Sequence, residues 1–382
     1  MYARTFWIQK IENAWRKRSV VWLTGVRRTG KTFLCKSLPD IEYFDCESPR
    51  VRRMLEDPEA FLESRGEKRI VLDEIHRLSD PSQILKLAAD HFPKLRILAT
   101  GSSTLGASAR FKDTLTGRKV SLKLVPMITT DMADFKRTDL SRRLLHGGLP
   151  PFFLADTFPE ADLVEWMDAF WAKDIQELFR LERKYSFHKF IELMMARSGS
   201  IFEASRYARE CEISRPTISN YLAVLEATHV VRVLRPFSGH RPTEIISAPK
   251  TYGFDTGFVC YYRNWTTLSP EAMGVLWEHF VINELEARIP QRALHYWRDK
   301  RGHEVDLVLP EKDKSVTALE CKWSADAFEP DGMKAFRLLH PAGFNIVVCA
   351  NVKETYHRKM GDLKITFCGL AGLPAIIEKR EK

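Results

Sequence analysis

The chain has 382 residues, of which 45% are hydrophobic and 29% charged, and 59 Lys and Arg against 50 Asp and Glu leave a formal net charge of +9. That length supports two or three domains, the composition excludes a disordered or collagen-like chain, and the basic excess favours a polyanionic partner, nucleic acid first, over simple surface solvation. No apolar run approaches the roughly 18–20 residues of a membrane span, the opening MYARTFWIQKIENAWRKR lacks a signal-peptide core, and seven scattered cysteines fit reduced thiols in a cytoplasm better than disulfides or a zinc site.

The first strong element is VVWLTGVRRTGKTFLCKSL, residues 20–38. A β-branched apolar strand, Val20 to Thr24, runs into Gly25-Val26-Arg27-Arg28-Thr29-Gly30-Lys31-Thr32, which fits G-x-x-x-x-G-K-[ST], and a helix follows. Glycines at the ends of such a loop turn backbone N–H groups inward to cradle phosphate oxygens. Lys31 then reaches the β- and γ-phosphates of ATP and the Thr32 hydroxyl holds Mg²⁺. Gly25, Arg28, Thr29, Gly30 and Phe33 complete the expected nucleotide contacts.

KRIVLDEIHRL supplies the acidic pair that ATP hydrolysis requires. Asp73, at the end of a buried strand, is placed to hold Mg²⁺ and Glu74 to orient the attacking water. A third apolar strand in LRILATGSS ends on Thr100 and Ser102, either of which is placed to sense the γ-phosphate. ARFKDTLTGRKVSLKLVPM follows, with Arg110 and Arg118 flanking a short helix before a strand at Val120 to Val125. Ring-forming ATPases send an arginine from this position into a neighbour's site, and Arg118 is the better candidate. The alternation of strand and helix from 20 to 130 reads as a parallel α/β sheet with helices on both faces.

These motifs resemble the AAA-type ATPase domain of a large bacterial and archaeal family. Its members carry counterparts of GVRRTGKT, LDEIHRL, TGSS and LTGR. HGGLPPFFLA (146–155), FWAKDIQEL (170–178), KTYGFDTGF (250–258) and GVLWEHFVINEL (274–285) are similar to landmarks of that family's C-terminal domain of unknown function. The chain departs from its relatives in the RRT of the loop and in PPFF after the double glycine. The resemblance implies a homo-oligomer, with a hexameric ring favoured.

Residues 140–190 read as helical, with Trp166, Phe170, Trp171, Ile175 and Leu178 as an apolar stripe expected to be core or a subunit contact. From Ser198 the pattern is helix (EASRYAREC), turn, helix (SRPTISNYLAVLEAT) and strand (VVRVLRPF), with Ser214 as N-cap and Pro216 in the first turn. That is the order of a winged helix-turn-helix, in which Arg215, Thr217, Ser219 and Asn220 face nucleic acid. A helical bundle used for packing gives the same pattern.

In the C-terminal third, Glu278 lies on an amphipathic helix, Asp306 on the strand GHEVDLVLP, and Glu320 and Lys322 on the strand TALECKWS. An acid on one strand and E-x-K on the next resemble the PD-(D/E)XK nuclease core. There Asp306 and Glu320 bind Mg²⁺, Lys322 positions water, and Glu278 assists the metal. A strand-edge ion pair, or a DNA platform without cleavage, accounts for the same residues. The preceding HYWRDKRGHE offers Arg298, Lys300 and Arg301 to a phosphate backbone, with Tyr296 and Trp297 beside them to stack a base.

The expected organisation is an α/β chain. It comprises a P-loop AAA-type ATPase domain (1–135), a helical lid or connector (136–195), a winged-helix-like domain (196–240) and a nuclease-like α/β domain (241–382). The expected function is a Mg²⁺-dependent ATPase acting on DNA, including branched DNA. A nucleotide-gated nuclease or switch, and a non-catalytic DNA-binding regulator, are the alternatives.

Overall fold

A computed structural model describes residues 3–101, 109–176, 179, 181, 183–238 and 248–378, with backbone alone at 109, 110, 112 and 378. Among the described residues, β1 (Val20–Thr24), β2 (Ile41–Asp45), β3 (Arg69–Asp73), β4 (Arg96–Thr100) and β5 (Lys119–Lys123) form a parallel sheet in the order β2-β3-β4-β1-β5. Buried on both faces, β1 consists of five fully buried residues, as an interior parallel strand requires. Insertion of β4 between β1 and β3 is what builds the site: Leu23 pairs with Thr100 and Leu72 with Ala99. The phosphate loop, Thr100 and the acidic pair therefore emerge side by side at the carboxyl edge of the sheet, where open α/β sheets bind ligands.

Several helices start on a cap residue followed by proline, which supplies a side-chain acceptor and a pre-set φ. Asp57 accepts from the Ala60 N–H, Asp80 from Gln83 and Ser269 from Ala272, and each is followed by proline. Ser214 caps Arg215–Ala227 as the sequence implies.

The remaining strands are β6 (Ser200–Ile201), β7 (Val231–Pro236), β8 (Lys250–Gly253), β9 (His295–Arg298), β10 (Glu304–Pro310), β11 (Val316–Lys322), β12 (Asn345–Cys349), β13 (Tyr356–Met360) and β14 (Leu363–Cys368). Together they form one mixed sheet in the order β13-β14-β12-β11-β10-β9-β7-β8-β6. The expected boundary at 240/241 falls inside this sheet: β8 pairs with β6 and β7, and β7 continues into β9. The hydrogen-bond ladder, which composition does not reveal, joins the two expected domains.

From Pro270 the order is helix (Pro270–Arg288), β9, β10, β11, helix (Asp331–Leu339), β12, with β10 antiparallel and β12 parallel to β11. The helix Pro270–Arg288 is buried nearly all round. Its C-terminal turns also face the domain of the five-stranded sheet. Ala287 joins the core of Trp7, Ile11 and Leu23; Glu286 binds Lys123; and the Thr129 N–H donates to Glu284.

Two of the motif landmarks meet. Asp255 of FDTGF accepts the N–H of Gly148 at 2.6 Å and of Gly257 at 2.9 Å. A Cβ on Gly257 would stand 2.5 Å from the His146 carbonyl, and Gly147 holds φ +87 against the Asp255 carboxylate. HGG and DTG thus form one close backbone contact, and this contact positions Pro150 and Pro151 over the phosphate loop.

All seven cysteines are free and buried. Among the described residues no helix is long and apolar enough to cross a membrane.

Candidate functional site

The carboxyl edge of the first sheet opens into a cavity of about 950 Å³. One wall is the phosphate loop with Glu74 and His76. The other comes from Pro150, Pro151, Trp166, Phe170 and Asp174, with Thr228 and Val230 of the middle region. Trp166 and Phe170, expected to be core or a subunit contact, are buried and also face this cavity.

Gly25 has φ +151, and a Cβ there would lie 2.5 Å from the Leu124 carbonyl, so the chain just after β5 leaves no room for a side chain. Gly30 takes φ +92 and starts the helix Lys31–Lys36; both glycines occupy backbone conformations that other residues seldom adopt. Lys31 Nζ donates to the carbonyls of Gly25 (2.9 Å) and Val26 (3.2 Å). Burial pushes its pKa down, against the pull of Glu74, Asp174 and Asp73. Thr29 is fully buried and donates to the Val26 carbonyl. Arg28 stands at φ +61 and binds Glu165 at 2.6 Å. Phe33 is partly exposed on the cavity wall.

Asp73 is surrounded by hydroxyls. Thr32 donates to its Oδ2 at 2.8 Å and Tyr43 to the same oxygen at 2.5 Å; Thr100 donates to Oδ1. Thr100 in turn accepts the Glu74 N–H at 3.1 Å, so it joins the two acids. Glu74 sits at φ +53, and its carboxylate lies 3.2 Å from His76 Nδ1. Burial opposes ionisation of Glu74, but the His76 hydrogen bond and the Lys31 charge outweigh it and hold the carboxyl below its usual range. Neutral oxygen partners leave Asp73 a hard donor beside Thr32, a set that fits Mg²⁺. Ser102 lies outside the described residues, as does the Arg110 side chain.

Arg118 precedes β5 and binds Asp90 at 2.7 Å. Lys119 pairs with Val20, at the start of β1. Arg118 is therefore a strand's length from its own phosphate loop and cannot serve that site from within the same chain.

Glu278, Asp306, Glu320 and Lys322 come together. Leu307 pairs with Leu319 across β10 and β11, and one step further along that register Asp306 stands beside Glu320. Asp306 Oδ2 accepts the Cys321 N–H at 2.9 Å; Lys322 Nζ lies 2.8 Å from Glu320 and 3.8 Å from Asp306. Glu278 faces this group and accepts from the Tyr252 hydroxyl at 2.6 Å, with Lys250 at 3.8 Å. Lys250 also pairs with Glu304. Burial first, then the Asp306 charge, raises the Glu320 carboxyl well above its usual range; Glu278 is raised to about 7, by burial against the Lys250 charge. Among the described residues no three acidic, His or Cys side chains form a ready metal cage. The set offers two adjacent carboxylates with a lysine.

Arg298, Lys300 and Arg301 are exposed on the β9–β10 hairpin, which Asp299 closes by accepting the N–H groups of Arg301 and His303. Tyr296 and Trp297 are not available to stack a base. Tyr296 is buried with its hydroxyl on the Ala248 carbonyl, and Trp297 is packed on Phe336. Strand alternation on a sheet covered on both sides sent both rings inward. Arg215, Ser219 and Asn220 are exposed, whereas Thr217 is half-buried and tied to Ser214 at 2.8 Å.

Tyr43, His76, Asp174, Lys250 and Tyr252 were not anticipated as members of these sites. Tyr43 and His76 stand near their partners only through sheet order and a turn. Asp174 lay in a motif whose apolar members drew attention first.

Residues 17–133, which carry the five-stranded parallel sheet and the phosphate loop, form an AAA-type domain: they match the family described as "AAA domain". Residues 137–269 match "Domain of unknown function (DUF8612)" and residues 273–366 "Domain of unknown function (DUF4143)". The chain is 28% identical over 314 residues to uncharacterized proteins of Mycobacterium tuberculosis and Mycobacterium bovis, covering 78% of this chain and 69% of each relative. Among solved structures, a signal transduction ATPase with a tetratricopeptide repeat sensor from Pyrococcus horikoshii aligns at 13% identity and TM-score 0.29, over 76% of this chain and 46% of that one. A DNA replication initiation factor aligns at 13% identity and TM-score 0.27, over 63% and 84%. Overlaps of that size carry no argument here.

Proposed function

We propose that this protein is a Mg²⁺-dependent ATPase that acts on DNA through its middle and C-terminal regions and works as a homo-oligomer. The observation that carries the DNA reading is the meeting of Glu278, Asp306, Glu320 and Lys322 in a helix-β-β-β-helix-β unit. That order, with the acids on the second and third strands, resembles the PD-(D/E)XK nuclease core and supports this reading.

In the candidate ATP site, Thr32 and Asp73 would hold Mg²⁺, which would supply charge neutralisation to the phosphates. Lys31 leaves the loop carbonyls for the phosphate oxygens. Glu74, fixed by His76 and by its strained backbone, orients water. Thr100 couples Asp73 to Glu74 and so registers the state of the metal and water together. Arg118, unable to reach its own loop, is assigned to the site of a neighbouring subunit. For DNA, the three helices Lys184–Ala196, Ala204–Glu210 and Arg215–Ala227 with β6, β7 and β8 support a winged-helix reading. Arg215 and Asn220 on the last helix, and Arg298, Lys300 and Arg301 on the β9–β10 hairpin, are assigned to phosphate contact.

The testing experiment is steady-state ATP hydrolysis with Mg²⁺, alone and with single-stranded, duplex and four-way-junction DNA at low and moderate salt. Strong stimulation by one DNA shape is expected. Equal, slow turnover with every DNA overturns the DNA-driven reading. A second reading, in which ATP gates the C-terminal site as a switch, is favoured by the helix Pro270–Arg288. It carries Glu278 and, two turns on, the Glu284 and Glu286 that grip the ATPase domain.

A further inference from the structure

The phosphate loop is held from outside at Thr29, whose carbonyl accepts from Arg4, and at Arg27 and Arg28 by one helical segment. In Glu160–Phe170, Trp166 Nε1 donates to the Arg27 carbonyl at 3.1 Å and Glu165 binds Arg28. The segment continues without a break into a π-helical turn, Trp171–Gln176. Wide turns of this kind project a side chain that an α-helix would direct elsewhere, and they recur at functional sites. Here the turn sends Asp174 into the cavity, where Arg27 NH1 donates to its Oδ2 at 3.2 Å. Only 14% of the Asp174 side chain is exposed.

A carboxylate in this place is a physical oddity. The cavity has to accept a polyphosphate, and Glu74 already brings the one negative charge that water activation needs. Asp174 adds another, near enough to Lys31 and Glu74 to influence both. Burial raises its pKa, and the Arg27 charge and hydrogen bond pull it back. The carboxylate is thus retained by Arg27, the residue whose loop position also offers it to an incoming phosphate.

We propose that Asp174 is a built-in competitor for the phosphate-loop arginine: it pairs with Arg27, and ATP binds by taking Arg27 from it. This rests on the ATP-binding reading of the cavity. No bond is made or broken; one anion replaces another on a guanidinium that serves carboxylate and phosphate equally well. The exchange removes one of the ties between the loop and the segment 160–176, so phosphate arrival is reported directly to the helical region. Asp174 acts through Arg27, and it is a positioning residue.

The test measures the Kd of a non-hydrolysable ATP analogue, and kcat and KM for ATP, in the full chain and in D174N, D174E, R27Q and the D174N/R27Q double variant. D174N is expected to bind the analogue about fivefold tighter, because Arg27 no longer has to be taken from a carboxylate, with D174E close to the parent. In the R27Q background, D174N is expected to change Kd less than twofold. An unchanged or weaker Kd in D174N that melts like the parent overturns the proposal. So does a fall in kcat at constant Kd, which would place Asp174 in the chemical step. If D174N melts early, the D174E comparison decides: tighter binding by D174E, which keeps the charge, counts against competition, and parental binding supports it. If the parent itself binds no nucleotide, and K31A is indistinguishable from it, the ATP reading has failed rather than this one.

Discussion

Thr24 Oγ1 and His229 Nε2 lie 3.3 Å apart, which ties the last residue before the phosphate loop to the end of the helix that starts at Arg215. His229 is held there at φ +63. Burial first, then the Lys123 charge, drops its pKa to about 3. His279, under Ser198 and Tyr252, is likewise lowered to about 3 by burial. A histidine kept neutral in the fold takes up a proton only on unfolding, so below about pH 6.5 the unfolded state binds more protons and stability falls as pH falls. Each histidine contributes a slope of about 1.4 kcal/mol per pH unit between roughly pH 6 and its folded value. Urea unfolding between pH 6.5 and pH 5 is expected to lose about one proton's worth of this slope in H229Q. An unchanged slope would mean that the ring is solvated or charged in the fold.

K31A is expected to abolish ATP binding, and E74Q to retain ATP while losing hydrolysis by about 100-fold or more. Filter binding and steady-state turnover separate the two effects. Parental hydrolysis by E74Q would remove Glu74 from the role of base, and Asp73 would then have to be reconsidered.

Tyr43 donates to the same Asp73 oxygen as Thr32. Such outer contacts hold a metal-binding carboxylate in orientation, and their loss typically costs about tenfold or more in metal affinity. Y43F is therefore expected to raise the Mg²⁺ concentration for half-maximal hydrolysis by about tenfold, with an unaltered melting temperature. A titration of Mg²⁺ at saturating ATP reads this. No shift would mean that the phenol serves only to fill the edge of the sheet.

K322A is expected to leave ATP hydrolysis at the parental rate, since Lys322 lies on β11, apart from the ATP cavity. Any Mg²⁺-dependent DNA cleavage by the parent, assayed on supercoiled and branched substrates, is expected to disappear in the same variant. Cleavage that persists in K322A would place the activity elsewhere.

D255A is expected to destabilise the protein by about 2–4 kcal/mol, because it leaves the N–H groups of Gly148 and Gly257 unpaired in the interior. Denaturant melts measure this directly. A loss below about 0.5 kcal/mol would show that water replaces the carboxylate.

Much of the ATPase site was legible because its residues lie in short runs at strand ends. Gly25 to Thr32, Asp73 with Glu74, and Thr100 each announce themselves by an apolar strand stopping on a polar group. The nuclease-like set was legible for the same reason, with Asp306 and Glu320 standing among apolar neighbours. What could not be read depends on distant closure. Asp255 meets Gly148 across more than a hundred residues, and β8 joins β7 across 239–247, so neither pairing has a local signature. Tyr296 and Trp297 were misjudged because an aromatic beside basic residues looks the same whether its ring faces solvent or core. Asp174 was passed over because the helical period put its neighbours Trp171 and Ile175 in the core, and a π turn changes that period.

The contacts of Glu284 and Glu286 also set a timetable. Thr129 and Lys123 find these partners 155 and 163 residues later in the chain. At a synthesis rate of about 5–20 residues per second, the ATPase domain leaves the ribosome on the order of 10–30 s before the helix that covers its last strand exists. For that interval the flank of β5, with Lys123 at its end, waits uncovered, and the chain depends on its last third to finish folding its first.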